Sequence, residues 1–218
     1  LYLMGDLQFR TVDYTFEGPD RMGNRLPQTV NFNFFNPKAG ITYEWNARHR
    51  VYFSFARGSK EPVRDDFVDS SPESRPNAER MTDFEAGYHF NARAVRVSIN
   101  AYLMDYTDQL ILTGKINDVG EYTRQNVRDS YRAGIESELA CHLTPKWVLA
   151  GNLAISRNRI REFNEYIDDY DQGGQQVNTY RDVPIAFSPE VIAALQLIFK
   201  PAKGLSLTAA NKFVGQQY

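Results

Sequence analysis

Val95-Arg96-Val97-Ser98-Ile99-Asn100-Ala101-Tyr102-Leu103 sets apolar residues at every odd position and polar or amphipathic ones between them. That period of two belongs to a β-strand with one apolar and one wet face. Upstream, Phe84, Ala86, Tyr88 and Phe90 alternate with Glu85, Gly87 and His89, and Asn91-Ala92-Arg93-Ala94 makes a short turn into the quoted stretch. Downstream, Ala133, Ile135, Ser137, Leu139 and Cys141 oppose Arg132, Gly134, Glu136, Glu138 and Ala140. The same scheme runs through Leu1–Phe9, Ala39–Trp45, Val51–Ala56, Trp147–Ser156, Val191–Phe199 and Leu205–Phe213. Together these make about nine strands, most of them long enough for the ~9–11 residues that a tilted membrane strand needs.

The connections alternate in length. Short turns fall at residues 46–49, 91–94, 144–146 and 201–204, and long polar stretches at about 17–31, 59–78, 107–130 and 161–186. Short turns on one side and long loops on the other are the habit of membrane β-barrels, and structureless loops of that length are rare inside compact soluble domains. On the apolar face, Tyr43, Trp45, Tyr88, Phe90, Trp147 and Phe199 cluster beside the short turns, as in the aromatic girdle of a membrane interface. A soluble propeller or sandwich competes with this reading. It would have to bury the opposite face, where Glu85, Arg96, Arg132, Glu136, Glu138 and Lys212 stand, and charges are costly in a dry core.

The 218 residues carry 25 basic and 27 acidic side chains, so nothing calls for nucleic acid, which asks for a basic face. One cysteine, Cys141, allows no internal disulfide. The longest nearly apolar run, Val191–Phe199, contains Gln196 and is too short for a membrane-spanning helix. There is no nucleophile–base pair, Gly-rich phosphate loop or zinc spacing, so no enzyme, no cofactor and no metal site is expected.

Several motifs, in order along nearly the whole chain, resemble the barrel of TonB-dependent outer-membrane receptors. They include Pro37-Lys38-Ala39-Gly40-Ile41-Thr42-Tyr43, then Val51-Tyr52-Phe53-Ser54-Phe55-Ala56-Arg57-Gly58 running into Lys60-Glu61-Pro62. Glu79–Tyr88, Asn100–Leu110, Tyr131–Glu136, Ser188-Pro189-Glu190 and Asn211–Tyr218 follow. The resemblance implies an all-β fold, an antiparallel up-and-down meander of about nine long strands, forming part of a 22-stranded transmembrane β-barrel. On this reading residues 1–218 are a partial barrel domain, without the family's plug and closing strands, and Leu1–Phe16 and Leu205–Tyr218 are its edge strands.

The function so implied is energised uptake of a scarce nutrient across the outer membrane, foremost a ferric siderophore or other iron chelate. Cobalamin or oligosaccharide uptake, a passive porin-like barrel and a soluble all-β binding module are the alternatives. The expected partners are outer-membrane lipid, a small ligand, and a TonB-type energy-coupling protein acting through the plug region. For an anionic chelate, Arg57, Lys60, Arg64 and Arg75 are the basic candidates in the long loops, with Glu61, Asp65, Asp66 and Asp69 close enough in sequence to pair with them. Tyr122, Tyr166, Tyr170 and Tyr180 could stack on a ligand. Arg10, Glu85, Arg96, Arg132, Glu136 and Glu138 face the lumen and are expected to meet the plug. The acidic run Glu162, Glu165, Asp168, Asp169 and Asp171 reads as a solvated loop, because its spacing matches no calcium loop.

Overall fold

The computed structural model describes residues 1–17, 28–68, 75–116, 122–169, 171 and 173–217. Its elements are β1 (Tyr2–Phe16), β2 (Gln28–Asn46), β3 (His49–Lys60), α1 (Arg64–Val68), β4 (Glu79–Asn91), β5 (Val95–Ile116), β6 (Tyr122–His142), β7 (Trp147–Asp168), β8 (Gln175–Pro184), β9 (Val191–Ala202) and β10 (Leu205–Val214). The strands form one antiparallel sheet in the order β1-β2-β3-β4-β5-β6-β7-β9-β10, with β8 beside the far half of β7. β1 and β10 lie at the two ends of that order.

Register carries the alternation of single strands into a continuous surface. Leu3, Ile41, Phe53, Ala86, Ala101, Ile135, Ile155 and Val191 pair in turn across eight strands, and every one is apolar. One residue along, Met4, Gly40, Ser54, Glu85, Tyr102, Gly134 and Ser156 form the matching row on the other face. A one-residue slip anywhere would exchange the faces, so the apolar row fixes the register. None of the described residues packs on it: Ile135 is 56% exposed, Ile155 53% and Phe53 48%. An uncovered apolar face of this extent does not suit water and does suit lipid. No helix among the described residues is long and apolar enough to cross a membrane, which says nothing of strands.

At the short-turn end the outer-face aromatics meet. The Trp45 ring lies 6.3 Å from Tyr43, 5.1 Å from His49 and 6.2 Å from Tyr88, and Trp147 stacks on Phe199 at 4.3 Å. His49 joins this girdle, with its ring 4.9 Å from Phe90 and its Nδ1 2.8 Å from the Tyr88 hydroxyl.

The described residues form ten strands where about nine are expected, and two of the four long loops are mostly strand. Residues 107–112 of β5 pair with 124–129 of β6, and β7 runs on to Asp168 and pairs with β8. The missed segments, such as Gln175-Gln176-Val177-Asn178-Thr179, have water on both faces and carry no apolar alternation. β7 changes neighbours where Pro184 and Pro189, which lack amide donors, interrupt the ladder. There the Ile185 amide donates to Asn158 O at 3.1 Å and the Ser156 amide to Glu190 O at 2.7 Å. The described packed cluster, Val127, Ile160 and Ile185 with Ile111 and Phe163, sits in this extended region.

On the inner face two tyrosines lie over glycines of the next strand. Tyr52 pairs with Gly87 and Tyr102 with Gly134. A methyl group at Gly87 would overlap the Tyr52 ring, whereas one at Gly134 would meet the Ile155 carbonyl at 2.7 Å and the Tyr102 hydroxyl at 2.8 Å. A side chain can swing away and a ladder carbonyl cannot. Both Gly→Ala variants are expected to cost about 1–3 kcal/mol from overpacking. Tyr52→Ala should restore most of the loss in Gly87→Ala, and Tyr102→Ala should restore little in Gly134→Ala. Urea unfolding in bilayers checks this; equal rescue at both sites would contradict the geometry.

Candidate functional site

Beyond the Lys38–Ala56 pair β2 continues without β3, and β3 ends at Lys60. The segment after β3 turns toward the inner face and is clamped there at three points. First, the Arg10 guanidinium holds Glu61 through two hydrogen bonds of 3.0 and 2.5 Å, donates to Ser59 O at 3.1 Å, and lies 4.8 Å over the Phe34 ring. Second, Arg124 grips Asp66 in a bidentate pair, Nε to Oδ1 at 2.7 Å and Nη2 to Oδ2 at 2.5 Å; this planar fork is the strong form of the contact. The same carboxylate accepts the Val63 amide at 2.8 Å. Beside it Phe67, 2% exposed, packs 6.1 Å from Tyr14 and 6.2 Å from Phe32 on the inner faces of β1 and β2. Third, Asn126 and Asn77 exchange hydrogen bonds of 2.7 and 3.1 Å, and Asn126 also donates to Asp108 O at 2.6 Å. Asp108 has φ 58°, a left-handed turn that asparagine and aspartate tolerate best among residues with a Cβ.

These clamps leave a notch of about 510 Å³ lined by Asn31, Asn33, Phe67, Arg75, Asn77 and Arg80 among others. Near the short-turn end, a second inner-face concavity of about 570 Å³ is lined by Arg50, His89, Arg96, Ser98, Glu138 and Gln196 among others.

Burial pulls the Glu61 carboxyl upward, but its hydrogen bonds from Arg10 and from backbone, with the charges of Arg10 and Lys60, outweigh this and leave it below its ordinary 4.5. A carboxyl lowered in the folded state stabilises fully above its unfolded value, and the contribution is lost as pH falls through the lowered one. The first clamp is therefore expected to hold above pH 4.5 and to loosen only below it. Hydrogen exchange at Glu61 and Ser59 against pH checks this, and Glu61→Gln should abolish the dependence.

The candidates from sequence separate. Arg57 is exposed on the outer face opposite Thr82, whereas Lys60 is on the inner face opposite Glu79. Arg64 opens α1 and Arg75 lines the notch, both exposed. Two of the acidic neighbours are taken by bases remote in sequence, Glu61 by Arg10 and Asp66 by Arg124. Asp69, Tyr170 and the side chain of Tyr122 lie outside the described residues. Tyr166 and Tyr180 stand on the β7–β8 hairpin; the hydrogen bond with Glu165 and its charge push the Tyr180 phenol up. Of the lumen set, Arg10, Glu85, Arg96, Arg132, Glu136 and Glu138 share the inner face by register. Arg132 donates to Ser188 Oγ at 3.0 Å, and Asn100 donates to Glu85 at 3.4 Å. In the acidic run, Glu162 meets Arg181 at 3.8 Å and Asp168 accepts from Gln175 at 2.9 Å. Sequence reasoning missed Phe67, Arg124 and Asn126. Phe67 alone carried a signal, as an aromatic residue in the otherwise acidic stretch Asp65-Asp66-Phe67-Val68-Asp69.

The family description "TonB dependent receptor-like, beta-barrel" matches residues 3–218. No curated protein matches the chain. Solved structures with the same fold include the copper transporter OprC, at 14% identity and TM-score 0.75, covering 97% of this chain and 31% of that one. The siderophore receptor PiuA from Acinetobacter baumannii is similar at 17% identity and TM-score 0.73, covering 99% of this chain and 31% of its own. The ferric yersiniabactin uptake receptor FyuA from Yersinia pestis is similar at 18% identity and TM-score 0.67, with coverages of 99% and 32%. The chain thus spans about a third of the length of these structures.

Proposed function

Since the chain belongs to the TonB-dependent receptor family, whose members are transport proteins and not enzymes, we propose that it forms part of the wall of a 22-stranded outer-membrane barrel that takes up a ferric siderophore or similar iron chelate. In this reading the apolar face meets lipid and the long-loop end faces the medium. The inner row Arg10, Glu85, Arg96, Arg132, Glu136 and Glu138 faces a plug, through which a TonB-type protein supplies energy.

The observation that carries the reading is the clamped segment after β3. Its carboxylates Glu61 and Asp66 are occupied by Arg10 and Arg124, while the exposed Arg64 and Arg75 form no ion pair among the described residues. Pinning the acids leaves positive charge over the mouth of the inner wall, which suits an anionic chelate. The uptake receptors named above for siderophore and ferric yersiniabactin support iron chelate as the cargo; the copper transporter supports metal more broadly.

The test uses the full-length protein in detergent. Binding of ferric catecholate and hydroxamate siderophores is measured by tryptophan quenching, with cupric ion, cyanocobalamin and an oligosaccharide as the other arms. A ferric chelate should bind most tightly, and Arg64→Gln/Arg75→Gln should weaken it about tenfold, as for loss of charge-assisted contacts. Preference for any of the other three, or an unaffected double variant, overturns the assignment.

A further inference from the structure

Each of the four short turns carries one exposed cation: Arg48 between β2 and β3, Arg93 between β4 and β5, Lys146 between β6 and β7, and Lys203 between β9 and β10. The turns follow one another along one end of the sheet. The Asn91 amide donates to Arg48 O, the His142 amide to Ala94 O and the Lys200 amide to Lys146 O, each at 2.8 Å, so every hairpin is tied to the next. Successive hairpins lie two strands apart, which spaces the cations by about 10 Å. Two of the turns are fixed from within. Asn46 Oδ1 accepts the Arg48 and His49 amides at 2.8 and 3.1 Å, and Thr144 Oγ1 accepts those of Lys146 and Trp147 at 3.2 and 3.1 Å.

The row has one sign, although the whole chain is net −2. Glu44 is the only carboxylate within three residues of these turns in sequence, and it lies 3.9 Å from Arg50. Arg50 and Arg96 line the inner-face concavity, and the four turn cations do not. One step toward the belt stand the girdle rings: Trp45, His49, Tyr88 and Phe90 beside Arg48 and Arg93, and the stacked Trp147 and Phe199 beside Lys146 and Lys203. Such rings settle at the level of lipid headgroups, which sets the cations at the phosphate layer.

We propose that this row of turns binds anionic glycerophospholipids of the leaflet on the short-turn side, each phosphate meeting one or two of the four cations while its acyl chains lie along the apolar face. A cation at a membrane surface favours an anionic headgroup about fivefold. The girdle beside it selects a lipid over a soluble acidic partner, because it holds the cations where headgroups are densest. The inference rests on the reading of the apolar face as lipid-facing and is independent of the cargo.

The test reconstitutes the full-length protein in phosphatidylcholine nanodiscs doped with equal shares of phosphatidylglycerol and phosphatidylethanolamine. Lipids kept on release are counted by native mass spectrometry. Wild type should keep phosphatidylglycerol over phosphatidylethanolamine by about 5- to 30-fold, as for one or two cations per phosphate. Arg48→Gln/Arg93→Gln and Lys146→Gln/Lys203→Gln should each lose part of that preference, and the quadruple variant should lose at least about fivefold. Arg128→Gln removes a side chain 92% exposed on the far part of β6 and should behave as wild type. Equal retention of the two lipids, or an unaffected quadruple variant, overturns the proposal. So does displacement of the lipid by glycerol 3-phosphate, which would identify a simple anion site. Capture of a soluble polyglutamate peptide with no preference among lipids would assign the row to an acidic protein and overturns it too. Failure of the protein to enter nanodiscs would overturn the membrane reading, and this inference with it.

Discussion

Phe67→Ala is expected to release α1 from the inner face, at a cost of about 3–5 kcal/mol in local docking free energy. The side chain is 2% exposed between Tyr14 and Phe32, and Pro62 beside it is also fully buried. Its removal leaves a cavity that two aromatic walls, fixed on β1 and β2, cannot collapse to fill. The two ion pairs at Glu61 and Asp66 then hold the segment alone. Both are bidentate, the stronger form of the contact, but Arg10 is 36% and Arg124 30% accessible, so solvent weakens them. Amide exchange across residues 64–68 should rise by orders of magnitude while the strands stay protected. Unchanged exchange would mean that the ion pairs, and not the aromatic contact, anchor the segment.

Leu153→Arg and Ala154→Arg, neighbours in sequence, should differ widely in their cost. Leu153 is 40% exposed on the outer face, between Ser137 and Ala193. In a bilayer an arginine there costs about 2–4 kcal/mol, because the charge must leave water near the middle of the belt. Ala154 points inward opposite Glu136, where an added guanidinium meets water and a carboxylate and should be nearly neutral. In a soluble protein an exposed Leu→Arg change would stay within about 0.5 kcal/mol. Folding titrations in lipid vesicles separate the two cases. A neutral Leu153→Arg would remove the main physical support for a lipid-facing wall.

The amino-acid sequence by itself determined the meander, the identity of its faces and the girdle. Within the belt one face is apolar and the other polar, so each strand must alternate and each register slip is penalised. Val95–Leu103 and its partners state this in their side chains. The apolar alternation breaks off above the belt, where apolar residues gather in one local cluster, and for that reason the pairing of residues 107–112 with 124–129 and the β7–β8 hairpin were legible only in the folded chain. The same limit applies to the clamp. Glu61 and Asp66 are next to several bases in sequence, yet they pair with Arg10 and Arg124, 51 and 58 residues away. Strand register and the inward turn of the segment after Lys60 choose those partners, and neither is encoded in local charge order. Tertiary structure alone likewise put Arg57 and Lys60 on opposite faces of one strand.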